Sequence, residues 1–243
     1  MTRDPLRVFI GYDPREAVAW DVCAHSMREH SSAPLAITKL DLEWLRRIGL
    51  YRRTFYTENG QRFDCTDGRP FSTDFSFSRF LAPMLAGSGK CLFVDSDFLF
   101  RSDVAALFSL ANPRYAASVV KHAYDPPAAT KMRGQVQAAY DRKAWSSLVL
   151  WNCDHALTQS LTPYEVNFRP GRWLHGFRWL PDTDLGALPA EWNWLDGHSD
   201  PTMEPHAVHF TRGTPDMPGW EWTQYSGEWT DAYRSIGRSP TPS

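Results

Sequence analysis

Gly87-Ser88-Gly89-Lys90-Cys91-Leu92-Phe93-Val94-Asp95-Ser96-Asp97 is the stretch that decides the fold. Turn residues open it, a short apolar run follows, and two aspartates close it. Such a run behind a Gly/Ser turn predicts a buried strand. On an extended backbone residues two apart face the same side, so Asp95 and Asp97 present their carboxylates together where the strand runs out. In an open α/β sheet that edge is where ligands bind. Two adjacent like charges are costly unless something positive holds them, and a hard divalent cation with oxygen ligands is the simplest partner. The pattern suits an enzyme that must hold a diphosphate.

A second Asp-x-Asp has a different setting. Asp182-Thr183-Asp184 follows Trp179-Leu180-Pro181 and precedes Gly186, which reads as a turn with local Asx hydrogen bonding.

Working outward, strands and helices alternate. Residues 6–12 form an apolar strand ending in Gly11-Tyr12-Asp13-Pro14, with Asp13 as N-cap and Pro14 in the first turn of a helix. Ala17, Trp20, Asp21, Ala24 and Met27 keep helical spacing to about Glu29, and a second strand spans 35–40. Residues 43–72 are polar and aromatic without a clear period and read as an insertion. Thr73-Asp74 caps a helix carrying Phe77, Phe80, Leu81, Met84 and Leu85. A short helix near 104–110 and strands at 115–120 and 147–152 follow. After Asp154 a helical start gives way to loops through Pro163 and Pro170. A turn at 188–195 leads into a short strand, another strand spans 207–210, 211–220 read as loop, and 237–243 as a disordered tail. The alternation predicts an α/β class: a mostly parallel central sheet flanked by helices, with a smaller mixed-sheet portion, in one domain over 1–236.

Composition narrows the function. With 243 residues the chain can bury a sizeable core, and a net charge of −2 argues against nucleic acid or an anionic membrane as main partner. No apolar stretch reaches the length of a membrane span, and Met1-Thr2-Arg3-Asp4-Pro5 lacks the apolar core of a signal peptide. A cytoplasmic protein is therefore expected. Cys23, Cys65, Cys91 and Cys153 form no Cys-x-x-Cys pair; Cys23 and Cys91 read as core fillers in a reducing compartment. Trp151, Trp192 and Trp194 read as core, whereas Trp220 and Trp222, in a Pro/Gly-rich context, could form a platform for the apolar face of a sugar ring.

Three further places could complete a site. Tyr12-Asp13 ends the first strand, where an Asp can accept hydrogen bonds from a base or ribose, with helix capping as the rival role; no G-x-G-x-x-G loop points to a dinucleotide. Arg79, in Ser78-Arg79-Phe80, could pair with a diphosphate or hold the aspartate pair, or be an exposed helical arginine. His209, in Val208-His209-Phe210-Thr211-Arg212-Gly213, sits on an apolar strand, where a hydrogen-bonded core histidine is the commoner case. Here a Gly-rich loop with Arg212, Thr214 and Pro215 follows, able to face phosphate.

Taken in order, strand-Tyr-Asp, Ser-Arg on a helix, strand-Asp-Ser-Asp, and a late His-Phe-x-x-Gly loop ending in Pro218-Gly219-Trp220 resemble the GT-A glycosyltransferases. The likeness, over about 8–220, is greatest to the retaining enzymes of glycosyltransferase family 8. It implies a GT-A type nucleotide-binding fold in which Asp95, Asp97 and His209 hold a Mn²⁺-type ion (or Mg²⁺). It also implies that Tyr12 and Asp13 meet the uridine of a UDP-sugar, with Ser96 and Gly213 at the same donor site. Arg79 would lie near the donor sugar and diphosphate. The implied activity is metal-dependent transfer of a sugar, with retention, to a carbohydrate, lipid or protein acceptor.

Departures from the family pattern are specific. Where the family has Asn-Ala-Gly this chain has Trp145-Ser146-Ser147, so Ser146 takes the Asn's place beside the donor sugar. The nearest equivalent of the later Asp-Gln pair is Leu174-His175-Gly176, which leaves His175, with Arg79 and Ser146, in a catalytic role. The closing loop, Asp216-Met217-Pro218-Gly219-Trp220, lacks the usual Lys, and Arg212 would supply the phosphate contact. The polar stretch 121–143 looks like the acceptor side. Other classes fit less well. In a haloacid-dehalogenase-type phosphatase the first Asp is the nucleophile, but that motif opens the chain and does not continue Phe98-Leu99-Phe100. A nucleotidyltransferase would need a Gly-rich basic loop after the first strand. A non-catalytic nucleotide-sugar-binding relative is the remaining alternative, for which the Ser146 and His175 positions leave room.

Overall fold

The computed structural model describes residues 4–123 and 142–237. Most of the expected acceptor-side stretch at 121–143, and the expected tail beyond Gly237, lie outside them. Strand β1 (Leu6–Gly11) leads through a 3₁₀ turn at Pro14–Glu16 into α1 (Ala17–Glu29), then β2 (Leu35–Leu40) and α2 (Leu42–Arg47). The expected insertion is built as α2 and an antiparallel unit of β3 (Phe55–Glu58), β4 (Gln61–Asp64) and β5 (Pro70–Phe71). Its first turn is Asn59-Gly60, both at positive φ, the pair that a two-residue hairpin turn demands.

The helix expected from Thr73 onward is broken. α3 (Phe75–Ser78) passes through a 3₁₀ turn at Arg79–Leu81 into α4 (Ala82–Ala86). Pro83 is the reason: it has no N–H to give the carbonyl four residues back, which falls on Arg79. β6 (Lys90–Val94) and β7 (Phe98–Phe100) then flank the Asp-x-Asp, followed by α5 (Val104–Ser109), β8 (Ala117–Val120) and β9 (Leu148–Asn152). Neither expected proline loop is one. After α6 (Ala156–Gln159), Pro163 starts α7 (Pro163–Phe168), where Thr162 and Glu165 form a capping box, and Pro170 precedes α8 (Gly171–His175). The remaining elements are β10 (Leu185–Leu188), β11 (Trp194–Leu195), β12 (Ala207–His209) and α9 (Ser226–Ser235). The strand β7, β10 and the helix α9 were not foreseen from the sequence. Among the described residues no helix is long and apolar enough to cross a membrane.

The larger sheet has the order β10-β8-β9-β6-β1-β2. β1 is parallel to β2 and β6, β10 is parallel to β8, and β9 runs antiparallel between β6 and β8. Alternate side chains go to opposite faces. Phe9, Phe93, Val149 and Trp151 pack with Phe75, Phe80 and Phe177 on one side. Ile10, Leu92, Val94 and Leu150 pack with Cys23, Ala24 and Met27 of α1 on the other. A sheet covered on both faces requires near-continuous apolar strands, which is what Cys91–Val94 supply. The smaller sheet, β11-β12-β7, is mixed: β12 is parallel to β11 and antiparallel to β7. Asp95-Ser96-Asp97 is the passage from the larger sheet to the smaller.

Gly11, at the end of β1, has Phe75 against it: a Cβ there would come within 2.5 Å of the ring. Gly11→Ala is expected to destabilise the fold by about 1–3 kcal/mol through overpacking, measured as a lowered denaturation midpoint at unchanged m-value.

Candidate functional site

Local and long-range structure meet at Asp97. β7 pairs with β12 in a register that sets His209 directly opposite Phe98, and the two rings stack with centroids 4.3 Å apart. Phe210 N–H donates to the Asp97 carbonyl at 2.9 Å, closing the ladder. His209 Nε2 therefore sits 3.2 Å from Asp97 Oδ1. Asp95, Asp97 and His209 are all buried, and one ligand atom from each lies within 4.8 Å of the others.

A polarised chain of hydrogen bonds fixes which histidine nitrogen faces the carboxylates. Ser147 Oγ donates to the Ala144 carbonyl at 2.7 Å. It therefore accepts from Asn193 Nδ2, at 2.9 Å. That orients Asn193 Oδ1 toward His209, where it accepts from Nδ1–H at 2.9 Å. The neutral tautomer so selected keeps its lone pair on Nε2. Nε2 is buried and makes no hydrogen bond among the described residues. In that tautomer the lone pair faces two carboxylates, and a cation between the three would satisfy all of them. Two carboxylate oxygens and an oriented imidazole nitrogen form a donor set that fits a divalent cation.

Arg79 is not an exposed helical arginine. It is buried, with Nη1 2.8 Å from Asp95 Oδ1 and 2.9 Å from the Ser146 carbonyl. Its guanidinium lies near the Phe75 and Phe93 rings, at 5.4 and 5.2 Å. Held this way, it pairs with the Asp95 carboxylate and fixes its aim. Ser146 and His175 are also brought together: Ser146 Oγ and His175 Nδ1 are 2.8 Å apart, with His175 edge-on to Phe80. Asp95, Arg79, Ser146 and His175 thus form one connected network. Ser96 faces away from this network and donates to Glu16 Oε2 at 3.2 Å. Glu16 is buried; burial first, then the charges of Asp97 and Asp13, push its carboxyl up to about 8.

The other expected residues surround this centre. Tyr12 follows β1, its ring under Lys39 Nζ at 4.1 Å and edge-on to Trp20. Asp13 is fully buried and accepts from Arg15 N and Nε, from Arg15 Nη2, and from the Asp74 amide. Burial would raise its pKa, but the Arg15 hydrogen bonds outweigh it and hold the carboxyl below its usual range. The capping role and the cluster with Arg15 therefore occupy much of Asp13. Arg212 Nη2 pairs with buried Asp196 at 2.8 Å, and its guanidinium lies 5.0 Å from the Trp220 ring. Gly213 gives its N–H to the Phe210 carbonyl, and a Cβ there would come within 2.3 Å of the Trp220 indole. Trp222 is 93% exposed, whereas Trp151, Trp192 and Trp194 are buried as expected. The second Asp-x-Asp is a 3₁₀ turn away from the triad, with Asp182 paired to Arg142.

With this geometry in place, relatives identify the family. Protein CDI of Arabidopsis thaliana is 44% identical over 233 residues, covering 93% of this chain and 85% of that protein. The chain belongs to the family of Protein CDI. No protein-family model matches the sequence. Among solved structures, the fold is similar to the glycosyltransferase GlyE of Streptococcus pneumoniae TIGR4, with TM-score 0.62 and 15% identity over 95% of this chain and 60% of that chain. It is also similar to the galactosyltransferase LgtC in complex with donor and acceptor sugar analogues, with TM-score 0.56 and 10% identity over 97% of this chain and 98% of that one. The bifunctional glycosyltransferase WbbM gives a TM-score of 0.57 at 12% identity over 94% of this chain and 49% of its own. This chain thus spans 60% of the GlyE chain and 49% of the WbbM chain. At these identities the likeness is one of fold, the GT-A glycosyltransferase fold.

Asn193, Ser147 and Glu16 were missed from the sequence. Nothing local marks them: Asn193 lies in a Trp-Asn-Trp run and Glu16 in a helix start. If the triad holds a divalent cation, Asn193→Ala is expected to weaken its binding by roughly tenfold to a hundredfold, as for outer-shell partners of a ligating histidine, measured by calorimetric titration of Mn²⁺. Glu16 yields a pH dependence of stability. Its pKa rises from 4.5 to about 8 on folding, so between those values the native state holds a proton that the unfolded chain has lost. Stability therefore falls as pH rises through that window, by at most about 1.4 kcal/mol per pH unit from this group. Glu16→Gln should flatten that fall in denaturation series run with chelator; an unchanged slope would count against the assignment.

Proposed function

We propose that the chain is a metal-dependent glycosyltransferase moving a sugar from a UDP-sugar to a hydroxyl of a carbohydrate, lipid or protein acceptor. The observation that carries this reading is the buried Asp95–Asp97–His209 triad, its imidazole lone pair aimed by Asn193 and Ser147. The glycosyltransferase fold supports the class, and LgtC, solved with donor and acceptor sugar analogues, gives a precedent for both substrates on this fold. In this reading 1–236 act as one domain, in the cytoplasm.

Asp95, Asp97 and His209 would hold Mn²⁺ or Mg²⁺, the mixed nitrogen and oxygen set favouring Mn²⁺; when bound, the ion supplies Lewis-acid neutralisation of the donor diphosphate. The protein's own residues do the rest. Arg79 braces Asp95 against the Ser146 turn, so the carboxylate does not reorganise as charge develops. Tyr12 and the turn that Asp13 caps would receive the uridine, with Ser96 and Gly213 beside the donor. Arg212, 39% exposed at the rim, would contact phosphate. The Ser146–His175 pair would face the transferred sugar. The course proposed is retention. The acceptor oxygen attacks the anomeric carbon on the face from which the diphosphate departs. The carbon–oxygen bond to phosphate breaks, and the acceptor's proton passes to the leaving phosphate oxygen. No carboxylate nucleophile is needed, in keeping with Asp95 committed to Arg79 and Glu16 turned to Ser96.

The test is calorimetric titration of UDP with and without Mn²⁺, on the wild type, Asp97→Asn and the Asp95→Asn/Asp97→Asn double variant. UDP binding should require Mn²⁺ and weaken by more than about tenfold in either variant, with far-UV circular dichroism unchanged. Metal-independent binding, or binding undiminished in the double variant, would remove the triad from the function. Binding without release of sugar from any UDP-sugar, with or without acceptor, would mark a binding relative instead.

A further inference from the structure

His122 belongs to the stretch expected on the acceptor side, but no individual role has been given to it above. In the β8–β9 ladder Val119 is opposite Val149, and in the β6–β9 ladder Val94 is opposite Leu148. The residues just past β8 therefore emerge at the same sheet edge as Asp95, just past β6. His122 is fixed there by its backbone: its N–H donates to the Val120 carbonyl at 3.2 Å, and its carbonyl accepts from Trp145 Nε1 at 2.9 Å. Trp145 opens the 3₁₀ turn that carries Ser146 and Ser147, the first bonded to His175 and the second to Asn193. Neighbouring Lys121 is engaged elsewhere, giving its ammonium to the Leu185 carbonyl of β10 at 2.7 Å.

The imidazole has an unmet need. His122 Nε2 is buried and makes no hydrogen bond among the described residues. Buried polar atoms are rarely left this way, and those that are call for a reason such as an incoming ligand. His122 lies outside the triad of convergent ligand atoms, so it is not a fourth ligand of that cluster. Burial above all pushes its pKa down to about 4. A neutral ring has no charge to offer a phosphate, but it can donate to or accept from a hydroxyl.

We propose that His122 is a sugar-recognising residue, its Nε2 hydrogen-bonding a hydroxyl of the sugar that is transferred. This rests on the donor reading above and deepens it. The triad and Arg212 would answer the charged half of the donor. His122, joined through Trp145 to the Ser146 turn, answers the uncharged half and contributes to the choice of sugar.

The experiment compares UDP with UDP-glucose, UDP-galactose and UDP-N-acetylglucosamine by calorimetry in Mn²⁺, on the wild type, His122→Ala and His122→Gln. His122→Ala should leave UDP affinity within about twofold while weakening the best-bound UDP-sugar about tenfold. His122→Gln, which keeps a donor and an acceptor, should recover part of the loss. Retained UDP binding shows that the variant is folded. Equal weakening of UDP and UDP-sugars, or weakening of neither, overturns the assignment of His122 while leaving the donor reading intact. A folded wild type that binds neither UDP nor any of the three UDP-sugars overturns the donor reading itself, and His122 with it.

Discussion

Two carboxylates and an imidazole buried with ligand atoms within 4.8 Å of one another are an electrostatic liability. The structure around them restrains each of the three. Asp95 is held by Arg79, itself lodged by aromatic rings and by the Ser146 carbonyl. His209 is held by Asn193, and Asn193 by Ser147. The Asp97 carbonyl is held in the small-sheet ladder by the Phe210 amide. A site so constrained is organised before any cation arrives, and the cost of ordering its ligands is met on folding rather than on binding.

The same constraint explains the architecture. The Asp-x-Asp is where the chain leaves a sheet buried on both faces and enters a smaller one, and the change of sheet is what gives His209 access to Asp97. Had β6 simply continued, the histidine strand would have had no edge to join beside the aspartates. The turn before β9 serves the other side: the Ser147 carbonyl accepts from the Asp95 amide at 2.8 Å, and its hydroxyl accepts from Asn193 in the relay. One short turn therefore touches both the metal-ligand candidates and, through Ser146, the His175 pair.

Glu16 adds a second electrostatic layer. It sits behind Ser96 and feels Asp97 and Asp13, so its protonation reports the charge of the centre. A cation at the triad would offset part of the Asp97 charge and lower the resistance to ionising Glu16. A cation held there would thereby link folding, proton binding and metal binding.

Much of the local structure could be read from neighbouring residues. The Cys91–Val94 run, the two-residue spacing of Asp95 and Asp97, the Asp13 cap and the spacing along Ala17–Glu29 depend on contacts within a few positions. So do the Asn59-Gly60 turn and the Thr162–Glu165 capping box, whose signals were present although 43–72 were read as an insertion and Pro163 as loop. Arg79's aim, the Ser146–His175 pair and the Asn193–Ser147 relay lie between residues far apart in the chain. Sequence alone supplied candidate chemistry for Asp95 and Asp97 because carboxylates at a strand end are costly wherever that strand lies, whereas His209 joined them only through the family resemblance. Only the β7–β12 register and the packing of two sheets decided that these three meet, and which imidazole nitrogen faces the carboxylates. Register is set by long-range pairing and turn length, which no short window of residues contains.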